Sequence, residues 1–468
     1  MKTSSALLTL GSAAMVAGLQ QCTGSAKEEG GNWFCGAVDQ ILYSNVGHPG
    51  TYKAVSHMGS DGSCKFEDKA FTGPLAPFNE ELALLCRGPL KLARFTVYNV
   101  VEKKQKRDAG IPQSQIHARR HIHAHHHLHK KHAQEKRGED WITATIDGQV
   151  VSWINPHHVA TDVPSNEPAP GEKPAPGEKP APGEKPAPED KPAAPEVQAQ
   201  ALKEYPEPTA TSVAPRPTPT KSTPENVATG DYTRIAHYDA EKGVADGLVF
   251  LGNYGGDGSG VFDTVWGNSL SYINSKATGG SPTPQVLEKV LIPSNKEFAI
   301  YSDKPCTDGS CGYVRPGSVA YHGFGGESKV FLMRFSMPLD GSSGFNADMP
   351  ATWLLNAKVP RTQQYGDCSC WQTDCGEFDI LEVLAPGDTK CKSTFHTNVN
   401  GGSSDYFKRP TDGFINVATV FDAASGQVSV KILNDDVDFA TSLSEDLVQS
   451  WIQTGKDNGL FSLFSLAS

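Results

Sequence analysis

The stretch Cys375–Leu384, CGEFDILEVL, has the pattern of a β-strand that carries its charged groups on one face. Side chains two residues apart on a strand project from the same face, so Glu377 and Asp379 point the same way. Glu382 is five residues beyond Glu377, and this odd offset would turn it to the opposite face of a regular strand. A β-bulge between Asp379 and Glu382 would return it, and bulges are common beside active sites. The stretch therefore predicts a bulged strand with three carboxyl groups on one face.

Residues 231–468, which contain this strand, consist of short alternating apolar runs separated by Gly, Asn, Asp and Pro. Only Ser444–Gln453 starts like a helix, and it is short. Many short strands at this spacing predict an all-β protein, either a sandwich or a jelly roll. The clearest strand-like runs are Val330–Met337, Thr352–Leu355, Glu377–Leu384, Ser393–Val399, Ile415–Phe421 and Gln427–Leu433.

A smaller ordered block at 33–101 precedes the large one and has similar alternation. Its later part, Glu80–Val101, contains two strand-like runs separated by Arg87-Gly88-Pro89, and this pattern predicts a hairpin. Another short hairpin is predicted at 140–158, turning at Asp147-Gly148.

Composition separates these blocks from a segment that cannot form a core. Only 38% of the 468 residues are hydrophobic, and 17 of the 33 prolines lie between Pro164 and Pro224. The repeat Pro-Ala-Pro-Gly-Glu-Lys in Glu167–Pro192 favours an extended chain, because Pro fixes φ and removes a hydrogen-bond donor. Residues 159–230 are therefore predicted to be a disordered linker. The remaining residues, about 300 to 350, suffice for one large domain or two smaller ones.

A basic, histidine-rich insert is predicted at 102–139. Eight of the 15 histidines lie within His117–His132. Clustered imidazoles can bind transition metals weakly, so one hypothesis is a metal-buffering role. The other hypothesis, which we prefer, is a flexible polar insert whose metal affinity is incidental.

The N-terminus has the pattern of an export signal. Lys2 is followed by the apolar run Ala6–Leu19, which is too short to span a bilayer. Residues 1–18 are therefore predicted to be a signal peptide and the protein to be secreted. No later run reaches 18 apolar residues, so no membrane span is expected. The net charge of −11 argues against nucleic acid as a partner.

Ten cysteines in an exported chain favour disulfides over metal sites. Cys306 and Cys311 flank a turn-like Thr-Asp-Gly-Ser and are expected to pair. A zinc site is the alternative for a second group of cysteines, but export disfavours it, and no metal site is predicted. The disulfide candidates in this second group, with their connectivity open, are Cys368, Cys370, Cys375 and Cys391.

Three carboxyl groups on one strand face repel one another and so destabilise the fold, but they can take part in catalysis. Retaining glycoside hydrolysis needs two carboxyl groups about 5 to 5.5 Å apart, one ionised as nucleophile and one protonated as general acid. A third carboxyl group can hydrogen-bond the nucleophile and help to separate the two pKa values. The alternative is an acidic strand that only faces solvent.

Gly376–Glu382, GEFDILE, resembles the catalytic strand of family-16 glycoside hydrolases, in the bulged version typical of their β-1,3-glucanases. Upstream, Phe331–Pro338 (FLMRFSMP), Met349–Leu355 (MPATWLL) and Trp371 are similar to segments of that family in order and spacing, and Thr394–Thr397 (TFHT) resembles its next strand. An aromatic ring in the cleft can stack on the apolar face of a sugar. The resemblance implies roles for six residues: Glu377 as nucleophile, Asp379 as its helper, Glu382 as general acid/base, Trp371 and His396 as substrate-binding residues, and Trp353 as a substrate-binding candidate for which a core position is the preferred alternative.

The order of the segments is unusual for that family. Gly73–Val100 resembles the last strands of the same sandwich, which ordinarily follow the catalytic strand, yet here it comes first. This arrangement resembles the fungal cell-wall proteins described as circularly permuted β-1,3-glucanases. The resemblance implies a concanavalin-like β-sandwich, or jelly roll, built from 33–101 and 231–468. Permutation is tolerated where chain termini lie close together on a surface.

Together these features predict a secreted, monomeric enzyme that needs no cofactor and acts on β-1,3-glucan of a fungal cell wall by hydrolysis or by transfer. The rival hypothesis is a non-catalytic protein that binds wall glucan through the same sandwich. The three carboxyl groups favour the enzyme, because a glucan-binding protein needs no paired acid and nucleophile.

Overall fold

The computed structural model describes residues 23–100 and 232–466, apart from 308, 398, 400 and 456–458, together with the backbone of two strands at 141–146 and 149–154. The predicted signal peptide (1–18), the histidine-rich insert (102–139) and the linker (159–230) lie outside the described residues.

Strands dominate both described segments. The first segment contains β1 (Lys27–Glu29), β2 (Asn32–Phe34), β3 (Gln40–Ser44), β4 (Gly50–Met58), β5 (Cys64–Phe71), β6 (Leu82–Arg87) and β7 (Lys91–Val100). The isolated pair that follows, where the sequence predicts a short hairpin, is β8 (Trp141–Ile146) and β9 (Gln149–Ile154), which are antiparallel.

The second segment continues the strand order to the end of the described chain. Its elements are β10 (Tyr232–Asp239), β11 (Val244–Asp246), β12 (Leu248–Gly252), β13 (Phe262–Asp263), β14 (Gly267–Asn268), β15 (Ser271–Ile273), β16 (Gly280–Ser281), β17 (Glu297–Ser302), β18 (Lys329–Ser336), β19 (Ala351–Asn356), a 3₁₀ turn (Cys370–Thr373), β20 (Glu377–Glu382), β21 (Lys390–His396), β22 (Phe407–Lys408), β23 (Ile415–Asp422), β24 (Gln427–Leu433), β25 (Ser442–Leu443), α1 (Glu445–Ile452) and β26 (Phe461–Ser465).

Two large sheets face each other, so the predicted all-β sandwich is confirmed. The front sheet has the order β16-β15-β12-β17-β6-β19-β20-β21-β22. The back sheet has the order β11-β10-β7-β18-β23-β24-β3-β26, with β25 paired to β10. Neighbouring strands are antiparallel except β3 and β26, which are parallel. Strands from the first segment lie inside both sheets, so the two segments share one core.

The prediction of a hairpin at Glu80–Val101 is wrong. β6 lies in the front sheet and β7 in the back sheet, so the chain turns a corner between the sheets at Gly88. A Cβ atom at Gly88 would lie 2.1 Å from the carbonyl oxygen of Pro293, and only glycine fits this corner. Alternating apolar residues identify both strands, but alternation does not tell whether neighbouring strands pair or face each other.

The main core fills the space between the sheets. Phe95 and Phe331 enter it from the back sheet, and Leu84 and Phe378 enter it from the front sheet. Phe378 stacks on Phe395 of the next strand, with ring centroids 3.9 Å apart. Every second residue of each strand therefore points into one apolar layer, as the alternation in the sequence requires.

A second apolar cluster covers part of the outer face of the front sheet. Tyr52 and Phe71 of the β4–β5 hairpin pack there against Leu85 and Tyr301. The backbone N–H of Lys53 also donates a hydrogen bond to Thr373 Oγ1 in the 3₁₀ turn. The hairpin therefore forms a wall on the face that carries the acidic residues of β20.

The outer face of the back sheet is covered by α1, with Val448 and Trp451 packed near Leu332. The Ser444 side chain accepts a hydrogen bond from Leu447 N–H and begins the helix, as the sequence predicts. Within the described ranges, no helix is both long and apolar enough to cross a membrane.

Three disulfides lie in the described part of the chain: Cys64–Cys368, Cys306–Cys311 and Cys370–Cys375. The pairing expected for Cys306 and Cys311 is present. The assignment of Cys391 to a disulfide is wrong, because strand alternation turns Cys391 into the main core, where its thiol is free and fully buried. The zinc alternative does not hold either, because the other three cysteines of that group are in disulfides: Cys368 with Cys64, and Cys370 with Cys375.

Candidate active site

The acidic strand β20 lies between β19 and β21 in the front sheet. On β19, Trp353 pairs with Asp379 but the preceding Thr352 pairs with Leu381, so Ile380 is the extra residue of a β-bulge. The register to β21 shifts at the same place. The bulge expected between Asp379 and Glu382 is therefore present, and it returns Glu382 to the outer face.

Gly376 leads the chain into this strand in a conformation that favours glycine. Its φ is 115°, and a Cβ atom there would lie 3.2 Å from Pro77 Cγ. The chain therefore passes close to Pro77 and Phe78 just before Glu377 begins the strand, and Phe378 turns into the core.

Glu377 is buried, with 9% of its surface exposed, and accepts two hydrogen bonds. The indole N–H of Trp371 donates to Oε2 over 2.5 Å, and the hydroxyl of Tyr365 donates to Oε1 over 3.2 Å. Burial raises the pKa of Glu377 above its usual range, and Glu382 adds to the rise, while the positive charge of His396 and these two donors oppose it. The donors therefore stabilise the ionised carboxylate inside a site that otherwise favours the neutral acid.

A cross-linked loop holds both donors in place. Tyr365 and Trp371 pack edge to face, with ring centroids 5.1 Å apart. Disulfide Cys64–Cys368 ties the loop to β5, and disulfide Cys370–Cys375 closes the 3₁₀ turn that carries Trp371. The orientation of the indole therefore depends on bonds made outside the carboxylate site.

Asp379 lies in the middle of the acidic face and pairs with His396 of β21. The distance from His396 Nε2 to Asp379 Oδ2 is 2.8 Å. Burial and the neighbouring Glu382 raise the pKa of Asp379 to about 8. Burial by itself would lower the pKa of His396, but the Asp379 carboxyl group raises it to about 10. A protonated histidine thus compensates part of the negative charge of the three carboxyl groups.

Glu382 lies at the far end of the bulge and contacts Arg87 of β6. Arg87 Nη2 donates to Glu382 Oε1 over 3.1 Å. Within the described part of the chain, no hydrogen bond reaches Glu382 Oε2, so this oxygen can meet a ligand. The Arg87 side chain is largely buried and also donates from Nε to the carbonyl oxygen of Met349 over 2.8 Å.

Trp353 does not line an open cleft. Only 3% of its surface is exposed, and its indole N–H donates to the Tyr365 hydroxyl over 2.8 Å. Its position in the second apolar cluster agrees with the core alternative and not with the assignment as a substrate-binding residue. Trp353 supports the site indirectly, because it orients the Tyr365 hydroxyl that donates to Glu377.

The structure therefore brings Glu377, Asp379, Glu382, Trp371 and His396 together on one face. The site also contains two residues that sequence reasoning missed. Tyr365 lies in a loop without a periodic pattern, and Arg87 lies on a strand 295 residues before its partner. The one local signal for Arg87 was a charged residue that follows the apolar run Leu82–Cys86.

One group of possible metal ligands occurs within the described residues, away from the acidic strand: Glu81, Cys311 and His322. Its members already have partners. Cys311 is in a disulfide, and His322 Nδ1 lies 2.6 Å from Glu81 Oε1. The other oxygen of Glu81 accepts a hydrogen bond from Arg361 Nη2 over 2.9 Å. This group is a structural network and not a metal centre.

Chemically, the acidic face offers one carboxylate held by two donors, a second carboxyl group with a free oxygen, and an Asp–His pair between them. Such a pair of carboxyl groups can supply a nucleophile and a proton donor to the same bond. No redox-active or metal-bound group is needed for this chemistry.

Comparison with known proteins identifies the chain over both described segments. The family model described as "Cell wall protein YJL171C/Tos1, C-terminal" matches residues 230–451, and its N-terminal counterpart matches residues 39–100. The acidic strand lies in the first match and Arg87 in the second. No solved structure matches the chain.

Curated relatives match along nearly the whole length. A protein of Arthroderma benhamiae, named "Probable circularly permuted 1,3-beta-glucanase", is 42% identical over 456 residues, which cover 94% of each chain. A relative of the same name, TOS1, from Candida albicans is 38% identical and covers 94% of this chain and 97% of its own. The TOS1 protein of Saccharomyces cerevisiae is 36% identical, covering 90% and 92%.

These names agree with the circular permutation inferred from the segment order, and the structure agrees with the sandwich. Matches to both family models and identities above 30% over almost the full length leave one conclusion. The chain belongs to the Tos1/YJL171C family of cell wall proteins.

Proposed function

We propose that this protein is a secreted, monomeric retaining glycoside hydrolase or transglycosylase that acts on β-1,3-glucan of the fungal cell wall. The observation that carries the proposal is the bulged strand that presents Glu377, Asp379 and Glu382 on one face, with two donors on Glu377. The names of the relatives support the same substrate class.

In the first step, Glu377 attacks the anomeric carbon of a glucosyl unit. A covalent glycosyl-enzyme forms as the glycosidic bond breaks, and Glu382 donates its proton to the departing oxygen. The hydrogen bonds from Trp371 and Tyr365 favour the ionised form of Glu377 before the attack, and they weaken when its charge passes into the new bond.

In the second step, Glu382 is a carboxylate and accepts a proton from an incoming hydroxyl group. That oxygen bonds to the anomeric carbon, and Glu377 leaves as a carboxylate. Water as the acceptor gives hydrolysis, and a hydroxyl of another glucan chain gives transfer. Asp379 and His396 form an ion pair beside Glu377. This pair compensates the change in charge when the Glu377 carboxylate forms the covalent bond and is released again.

The direct test uses a soluble β-1,3-glucan and measures new reducing ends with the wild type and with Glu377→Gln. Glutamine can accept from Trp371 through its oxygen and donate to Tyr365 through its nitrogen, so the variant should fold. We expect turnover by the wild type and a loss of at least about a thousand-fold in the variant. Equal rates would remove Glu377 from the mechanism.

A defined β-1,3-linked oligosaccharide separates the two reactions. Products longer than the starting sugar indicate transfer, and only shorter products indicate hydrolysis. Retention on insoluble glucan without turnover at any pH would favour the non-catalytic wall-binding protein instead.

The Trp371→Phe variant tests the role of the indole N–H. Phenylalanine keeps an aromatic ring but cannot donate, and a hydrogen bond to a charged group contributes about 1.5–3 kcal/mol. We expect kcat/KM to fall by about 10- to 100-fold. Loss of the donor also raises the pKa of Glu377, so the acidic limb of the pH profile should move to higher pH.

Trp266→Phe is the matched control for this prediction. Its indole N–H also donates a hydrogen bond, over 2.9 Å, but to the carbonyl oxygen of Gly59 and not to a carboxyl group. An unchanged acidic limb in Trp371→Phe, or an equal shift in both variants, would contradict the proposed role.

A further inference from the structure

A straight row of residues crosses four strands of the front sheet and ends at Glu382. Glu297 of β17 pairs in register with Arg87 of β6, Arg87 pairs with Ala351 of β19, and Ala351 pairs with Glu382 of β20. Residues paired in this way point to the same face. Because alanine ends at Cβ, the Arg87 side chain can pass over Ala351 and reach the carboxyl group of Glu382.

The guanidinium group of Arg87 is held from several directions. Its Nη2 lies 3.1 Å from Glu382 Oε1, and its Nη1 lies 3.8 Å from Glu297 Oε1. Its Nε donates to the carbonyl oxygen of Met349, and the guanidinium lies 5.8 Å from the centre of the Trp353 ring. Burying a cation between two carboxyl groups has a large desolvation cost, which structural stability by itself does not explain.

We propose that Arg87 is a positioning residue for Glu382. Arg87 orients Glu382 so that one carboxyl oxygen points at the scissile bond, and the positive charge of Arg87 is shared between Glu382 and Glu297 as Glu382 loses and regains its proton. The inference rests on the proposed function. It also makes the permuted N-terminal segment a part of the active site and not only a part of the core.

The negative charge beside Arg87 changes in each of the two chemical steps. While Glu382 carries its proton, Arg87 is compensated by Glu297, whose pKa is raised by burial and lowered by Arg87 itself. After Glu382 has given the proton to the leaving oxygen, the new carboxylate lies 3.1 Å from Arg87 and is stabilised there. The proton returns to Glu382 from the acceptor hydroxyl in the second step, and Arg87 is again compensated by Glu297.

Other charged groups also face Glu382 and affect the pH at which it loses its proton. On its own strand these are Glu377 and Asp379, and on β21 they are His396 and Lys392. Lys392 pairs with Glu382 in register, but its Nζ donates to the carbonyl oxygens of Trp33 and Ser403 instead. Arg87 is therefore the cation that bonds to Glu382 within the described residues.

The test compares the pH dependence of kcat/KM for the wild type, Arg87→Met and Glu297→Gln on soluble β-1,3-glucan. The alkaline limb reports loss of a proton that the reaction needs. A shift that follows changes at Arg87 and Glu297 assigns this proton to Glu382, because Asp379 pairs with His396 instead. Without Arg87 the carboxylate of Glu382 loses its ion-pair partner, so the limb should move to higher pH. Without Glu297 the positive charge of Arg87 acts on Glu382 alone, so the limb should move to lower pH.

Arg87→Lys and Arg94→Met are the controls. Lysine keeps the positive charge but cannot donate to Met349 and Glu382 from a rigid planar group as arginine does. The alkaline limb of Arg87→Lys should therefore stay near that of the wild type, while kcat falls. Arg94 belongs to the same N-terminal segment, but it lies on β7 of the other sheet and pairs with Asp239. Its removal should leave the limb where it is.

Opposite shifts in Arg87→Met and Glu297→Gln support the inference, and wild-type profiles in both overturn it. Should the wild type itself lack turnover, the proposed function fails. A double-mutant cycle of Arg87→Met and Glu382→Gln, read from thermal unfolding midpoints, then still tests the contact. Additive changes would overturn the coupling of Arg87 to Glu382, and non-additive changes would support it.

Discussion

Glu377→Ala, supplied with azide and an aryl β-laminaribioside, should form the α-glycosyl azide. Removal of the carboxylate should lower the rate at least about a thousand-fold without azide, because the variant lacks the proposed nucleophile. The cavity left by the side chain should admit a small anion on the face from which Glu377 is proposed to attack. Azide then displaces the aryl group once, and the configuration inverts.

The Glu382→Ala variant should give the opposite product. Glu377 still forms the glycosyl-enzyme, because a good leaving group needs little help from an acid. Azide should enter from the face where Glu382 is proposed to act as a base, and two inversions return the β-glycosyl azide. Nuclear magnetic resonance of the products distinguishes the two anomers.

Exchanged products would mean that the roles of the two glutamates are exchanged, and no azide product from either variant would argue against a double displacement. Glu327→Ala is a suitable control, because Glu327 is an exposed acidic residue that lies just before β18 in the back sheet and not on β20. It should behave as the wild type does.

Phe378→Ala should lower the free energy of unfolding by about 3–5 kcal/mol. Phe378 is fully buried between the sheets and stacks on Phe395 at 3.9 Å, with further edge-to-face contacts to Tyr43 and Phe78. The truncation leaves a cavity in a layer that cannot collapse, because both sheets are hydrogen-bonded along their length. Guanidinium unfolding with the disulfides intact measures the loss.

Two further variants frame this result. Phe378→Leu should fall between the wild type and Phe378→Ala, because it removes less volume. Phe262→Ala should cost about 1 kcal/mol or less, because that ring is 40% exposed. Equal losses for Phe262→Ala and Phe378→Ala would mean that the sandwich core is not where the structure places it.

Glu377 and Phe378 are neighbours in sequence, and their expected effects are of different kinds. One side chain faces the site and the other faces the core, so Glu377→Gln should abolish turnover in a folded protein while Phe378→Ala weakens the fold. This separation could be predicted from the sequence, because side chains on a strand alternate whatever the strand packs against.

The bulge was predictable for a related reason. Glu377, Asp379 and Glu382 can share a face only if one residue is inserted between Asp379 and Glu382, and the register shows that insertion at Ile380. The positions of Trp371 and His396 followed from resemblance to a known family. They did not follow from local pattern, because neither residue has a neighbour in the sequence that explains its orientation.

Other features depended on contacts between distant parts of the chain. Cys64 and Cys368 are 304 residues apart, and their disulfide fixes the loop of Tyr365 and Trp371. Cys391 has the same chemistry as the other cysteines of its predicted group, yet it remains a thiol because its side of the strand faces the core. The hairpin expected at Gly88 is a corner between two sheets. The alternation of apolar residues is the same in both cases, so it does not distinguish them.

By itself, the sequence determined that the protein is an all-β sandwich, which strand carries the acidic groups, and where that strand bulges. These properties depend on the two-residue period of a strand and on local composition. Only the tertiary structure decided that Arg87 meets Glu382, that Trp353 is buried behind Tyr365, and that β6 and β7 lie in different sheets. Such pairings depend on which strands become neighbours, and that is settled by burial of apolar surface across the whole chain.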